Sequence, residues 1–100
     1  MSPVVFLPEA EQEMLEAALY YQLQAPGLGV DFLSEVEHAV KSFTESPNTW
    51  PILKGKLRRR IIRRFPFGIL YQVESEEIVV IAVAHLRRKP GYWKERIQKR

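Results

Sequence analysis

The stretch Phe67-Gly68-Ile69-Leu70-Tyr71-Gln72-Val73, then Glu74-Ser75-Glu76-Glu77, then Ile78-Val79-Val80-Ile81-Ala82-Val83-Ala84-His85, decides the fold. Phe67, Ile69, Tyr71 and Val73 alternate with Gly68, Leu70, Gln72 and Glu74, the period of two that a half-buried strand requires. The polar residues from Glu74 to Glu77 form a hairpin turn. Ile78 to Ala84 is apolar without a break, the pattern of a central strand covered on both faces.

Working outward, Leu57 to Phe65 reads as the strand before this hairpin, completing a three-stranded meander. It does not alternate cleanly. Arg58, Arg60 and Arg64 share a face with Ile62, while Arg59 and Arg63 share the other with Leu57 and Ile61, so a bulge or strong twist is expected. Pro47 to Lys56 reads as loop. Before it, Phe32, Leu33, Val36, Val40 and Phe43 form one helical stripe that stops near Ser46-Pro47, and Ala10, Met14, Ala17, Ala18 and Tyr21 form another. Pro8 suits a first helical turn, with Glu9, Glu11 and Glu13 favouring the positive N-terminus. Gln24 to Gly29 is a turn by composition, with Gly27 and Gly29 as turn glycines. Val4 to Leu7 is a short edge strand ending at Pro8. The expected fold is α+β: an edge strand, an antiparallel helical hairpin, a three-stranded antiparallel meander and a short C-terminal tail or helix. With 100 residues, one domain spanning 1–100 is expected.

Charge divides the chain. Residues 1–53 hold eight acids against Lys41 alone, a formal −7, whereas residues 54–100 hold fourteen cations against four acids, a formal +10. A basic half attracts phosphate or an acidic partner. There is no cysteine, which excludes disulfides and thiolate metal sites and allows a reducing cytoplasm. The N-terminus lacks a basic region before its short apolar run, so no secretory signal is expected, and no apolar run reaches the ~20 residues a membrane span needs. No metal constellation or glycine-rich phosphate loop is present, and no cofactor is expected. Glu9, Glu11, Glu13 and Glu16 read as a solvated helix face, and His38 as a polar-face residue.

Two clusters carry possible chemistry. The first is Lys54, Lys56, Arg58, Arg59, Arg60, Arg63 and Arg64, too many cations to bury together. It reads either as a binding surface for nucleic acid or a partner, or as a solvated edge strand protected against pairing. The second is His85, Arg87, Arg88, Tyr92 and Trp93. His85 suits proton transfer at neutral pH, the arginines suit phosphate, and Tyr92 or Trp93 suits base stacking, the parts needed to cleave RNA. The alternative is that His85 bonds backbone and the aromatics pin the tail over the core.

In order and spacing the chain resembles the RelE/ParE superfamily of toxins from bacterial type II toxin–antitoxin modules. The resemblance rests on Ala17 to Tyr21, Gly29 to Val36, Ser46 to Pro51, Arg59-Arg60 before Phe65 to Tyr71, and Ala82 to His85 with Arg87, Arg88, Pro90, Tyr92 and Trp93. It implies a helical hairpin against a small antiparallel sheet and a cognate antitoxin as partner, in the cytoplasm. It also implies one of two targets. RelE-like members cut mRNA in the ribosomal A site with cations on the sheet and a C-terminal Tyr or His, here Arg87, Tyr92 and His85. ParE-like members poison DNA gyrase and lack that set. Gly68 stands where RelE relatives carry a catalytic arginine, which favours gyrase. A basic binding domain without toxicity is the third reading. For the binding surface the expected residues are Lys54, Lys56, Arg58, Arg60, Arg64, Arg88 and Trp93.

Overall fold

The computed structural model describes residues 2–98. Strand β1 (Val4–Phe6) leads directly into α1 (Pro8–Gln24), and the helix starts where Pro8 fixes φ and needs no N–H partner. Helix α2 (Leu28–Glu45) follows after a turn at Gly27, whose φ of 86° is left-handed. The turn is tied by Gln22, whose side-chain oxygen accepts the backbone N–H groups of Gly27 and Gly29, each at 3.1 Å. Gly29 is therefore not a turn glycine. It lies inside α2 against α1, and a Cβ there would sit 2.4 Å from the Ala18 carbonyl oxygen. The missing side chain is what lets the two helices approach.

The sheet has five strands: β1, β2 (Ile52–Lys54), β3 (Leu57–Ile61), β4 (Phe67–Val73) and β5 (Ile78–His85), in the order β1-β5-β4-β3-β2. A short helix α3 (Lys94–Gln98) closes the described chain. The meander β3–β4–β5 is antiparallel as expected, but β1 pairs with β5 in parallel, so the sheet is mixed. Two boundaries differ from expectation. Strand β2 lies in the stretch read as loop; three residues with all side chains exposed carry no alternating signal. Strand β3 ends at Ile61 rather than Phe65, because the chain turns back at Arg64 with φ 70° before re-entering as β4.

Register explains the uneven burial. Leu57 and Arg59 face one side of β3, Arg58 and Arg60 the other. In β5 a shift opposite Leu70 and Tyr71 leaves Ile81 as an extra residue, so that Ile81 and Ala82 both join the same apolar cluster. The unbroken apolar run is buried on both sheet faces, as its composition implies.

One face is covered by the helical hairpin. There Phe32, Phe43, Ile69, Tyr71 and Val80 are fully buried, and each such side chain contributes ~1.5–3 kcal/mol relative to exposure. Phe43 stacks on Tyr71 with centroids 4.0 Å apart, and the Tyr71 hydroxyl donates to the Pro47 carbonyl at 2.7 Å. The other face is partly covered by the C-terminal segment, where Trp93, 6% exposed, packs with Leu57, Leu70, Val79 and Ile81. The outer side of α1 leaves Leu15, Leu19, Tyr20 and Leu23 exposed at helical spacing. No helix among the described residues is long and apolar enough to cross a membrane.

Candidate functional site

The C-terminal residues gather around Glu13, a residue read from sequence as solvated. Its side chain is 11% exposed. Oε1 accepts the Val83 N–H at 3.1 Å and Arg96 Nη1 at 2.8 Å. Oε2 accepts Arg88 Nη1 at 3.0 Å, the Tyr92 hydroxyl at 2.8 Å and Arg96 Nη2 at 3.0 Å. Arg96 also donates to the Ile81 carbonyl at 3.1 Å. The cause is topological. Strand β1 pairs with β5 only from Ile78 to Val80, so beyond it the β5 edge presents Ile81 C=O and Val83 N–H to no strand. Buried backbone polar groups need partners. Glu13 and Arg96 satisfy them, clasping the C-terminal segment to α1 around the edge.

Helical spacing contained a signal for this. Glu13 stands three residues after Ala10 and four before Ala17, both buried, whereas Glu9, Glu11 and Glu16 are exposed. Its partner Arg96 carried none, because only the fold brings residue 96 to residue 13.

The clasp sets the chemistry of Tyr92. Burial first, then the hydrogen bond to Glu13 and its charge, push the phenol well above its ordinary value of 10.0. Arg88 lies over the ring at 3.5 Å. Tyr92 is thus a fixed donor with one face covered. His85 is half-buried and packs edge-on against Phe67 at 5.1 Å. Its Nδ1 accepts the Arg87 N–H at 3.0 Å, so the neutral ring carries its proton on Nε2 and has no free acceptor. The Arg87 side chain is exposed and makes no hydrogen bond or ion pair among the described residues. Trp93 is buried rather than offered for stacking.

The basic strand splits between the two faces. On the helix side, Arg58 donates to the carbonyls of Asn48 and Trp50 at 3.2 and 2.7 Å. Arg60 donates to Ser42 Oγ at 3.2 Å and to its neighbour Ile61's carbonyl at 2.7 Å, and lies over the Trp50 ring at 4.1 Å. Arg64 pairs loosely with Asp31 at 3.4 Å and Lys56 with Glu74 at 2.9 Å, both largely in water and worth little. On the opposite face a cleft of about 350 Å³ opens between β2–β3 and the C-terminal loop. Its walls bring together Lys54, Arg59, His85, Arg88, Tyr92 and Trp93. Of the expected site residues, Lys54, His85, Arg88, Tyr92 and Trp93 are therefore neighbours, whereas Lys56, Arg58, Arg60 and Arg64 do not line the cleft.

Comparison with solved structures gives a protein described as the chromosomal ParDE toxin–antitoxin system from P. aeruginosa. The match covers 87% of this chain and 98% of that one with a TM-score of 0.76, and the 16% identity makes it a likeness of fold. No curated protein matches the chain in sequence at a significant level. A family model described as the ParE toxin of the type II toxin–antitoxin system, parDE, matches residues 4–90. With that match spanning β1 through the loop after β5, the chain belongs to the ParE toxin family, within the wider RelE/ParE group that its sequence resembles.

Proposed function

We propose that this toxin acts by binding rather than by cutting RNA, that its target is DNA gyrase, and that a cognate antitoxin neutralises it in the cytoplasm. The observation that carries the reading is the Tyr92 hydroxyl donating to Glu13 Oε2 at 2.8 Å. RNA cleavage needs a group that removes the 2′-hydroxyl proton. Tyr92 is held protonated by its surroundings. His85 would have to give up its Arg87 contact to accept a proton at Nδ1. A gyrase inhibitor needs only a shaped surface, and the basic half supplies one.

Two assays separate the targets. Purified protein is expected to inhibit gyrase supercoiling or trap cleaved DNA while leaving mRNA intact on programmed ribosomes. Codon-phased cuts that disappear in His85→Ala would overturn the gyrase reading. Growth arrest on tightly controlled expression is expected in either case, and normal colonies with soluble toxin present would favour the non-toxic binding domain.

For the antitoxin, Arg58 and Arg60 are already engaged by their own chain. The exposed stripe Leu15, Leu19 and Leu23 supports docking of an amphipathic segment on α1. Leu19→Glu is expected to weaken co-purification with the antitoxin without unfolding the toxin.

A further inference from the structure

Gly68 has a use that its position in the sequence hides. It lies on the open face of β4, diagonal to Arg59, whose own cross-strand partner is Leu70. A Cβ at Gly68 would meet Arg59 Cγ and Cδ at 3.1 Å each and Leu86 Cδ2 at 3.7 Å. The bare glycine is thus a bay across which the Arg59 stem lies, reaching along the sheet toward the end of β5. Arg59 is half-buried, and its guanidinium makes no hydrogen bond or ion pair among the described residues. A guanidinium partly withdrawn from water without a partner is costly. Its neighbours do not relieve it. The cleft holds Lys54, Arg88, Lys89 and Lys94 as well, and among the described residues no Asp or Glu lines it. Among the described residues, Arg88 alone of these cations has an ion-pair partner, Glu13.

We infer that this cleft is a docking site for a partner's peptide segment that carries both carboxylates and an aliphatic side chain, and that Gly68 positions Arg59 as its central anion contact. The acid-free cationic lining calls for an anion, and Arg59's planar fork suits a carboxylate. The floor decides between peptide and nucleic acid. Leu53, Leu70, Leu86 and Ala84 offer aliphatic surface. Little aromatic face is left to stack bases, because Trp93 is buried and Arg88 covers one face of Tyr92. The inference stands on the cleft itself and holds whichever target the toxin has.

The experiment is fluorescence anisotropy of the whole protein with a labelled octapeptide, Glu-Asp-Leu-Glu-Leu-Asp-Glu-Glu, beside the same peptide with both leucines replaced by serine and beside a labelled octathymidylate. The leucine peptide is expected to bind, to weaken with added salt, and to bind at least several-fold more tightly than either comparator. Arg59→Gln is expected to weaken it about tenfold, the effect of one charge-assisted hydrogen bond. Gly68→Ala, with an unchanged circular dichroism spectrum, is expected to weaken it several-fold by displacing the Arg59 stem. Lys41→Gln, the same charge change on α2, is expected to leave affinity as it was. Failure of the leucine peptide to bind, equal binding of the serine peptide, tighter binding of octathymidylate or unaltered affinity in Arg59→Gln would each overturn the proposal. None of these readouts depends on gyrase, so the target assays can fail or succeed separately.

Discussion

Truncating Glu13 to Ala removes five hydrogen bonds at once, and their environments decide the cost. Arg88 is 51% exposed, so its pair contributes at most about 1 kcal/mol. Arg96 is 14% exposed and faces an 11% exposed carboxylate. Breaking a pair of that kind strands the surviving charge, typically at about 3–5 kcal/mol. Arg96 keeps its bond to the Ile81 carbonyl, which places the loss near the lower end. Val83 N–H loses its acceptor, adding about 1 kcal/mol or more if water does not replace it. The expected total is about 4–5 kcal/mol, a drop in Tm of roughly 16 °C or more for a chain of this size. Urea and thermal unfolding followed by circular dichroism measure it. A double-mutant cycle then apportions it: coupling of Glu13 to Arg96 is expected near 2–3 kcal/mol, and of Glu13 to Arg88 below about 1 kcal/mol. A loss under about 1 kcal/mol in Glu13→Ala, or equal coupling to the two arginines, would refute the clasp and return Glu13 to a solvated helix face.

Other outcomes follow from the same geometry. Gly29→Ala gains helix propensity but drives a Cβ to 2.4 Å from the Ala18 carbonyl oxygen, so it is expected to destabilise by about 2 kcal/mol or more, read from urea midpoints. Burial pushes the Tyr71 phenol up to about 12, with Arg58 opposing. Its folded value exceeds the unfolded value of about 10, so its contribution is fully present below pH 10 and is lost as pH rises toward 12. Wild type is therefore expected to lose about 1–3 kcal/mol more than Tyr71→Phe over that window in urea titrations at stepped pH. His85→Ala is expected to leave growth arrest intact in a viable-count assay, whereas recovery of colonies with soluble variant present would point to proton transfer.

By itself the sequence determined the layer order and much of the pairing. Local periods carry that information: two across β4, an unbroken apolar run in β5, and helical stripes through Ala10 to Tyr21 and Phe32 to Phe43. It also located the charge imbalance and the group His85, Arg88, Tyr92 and Trp93, because these are near one another along the chain. Short or exposed elements were not legible. Strand β2 buries no side chain, so hydrophobic patterning has nothing to record. The left-handed Arg64 that ends β3 early is a residue type with no turn signature.

What only the tertiary structure decided concerns partners far apart in sequence. Glu13 and Arg96 meet because β1 is too short to cover the β5 edge, and the backbone groups left there demand polar partners. Arg58 and Arg59 are adjacent in sequence, yet the side chain of one is bound to the loop carbonyls of Asn48 and Trp50 while that of the other lies over Gly68 with no hydrogen bond or ion pair among the described residues. A strand sends consecutive side chains to opposite faces, so composition assigns both the same charge while the sheet gives them different work.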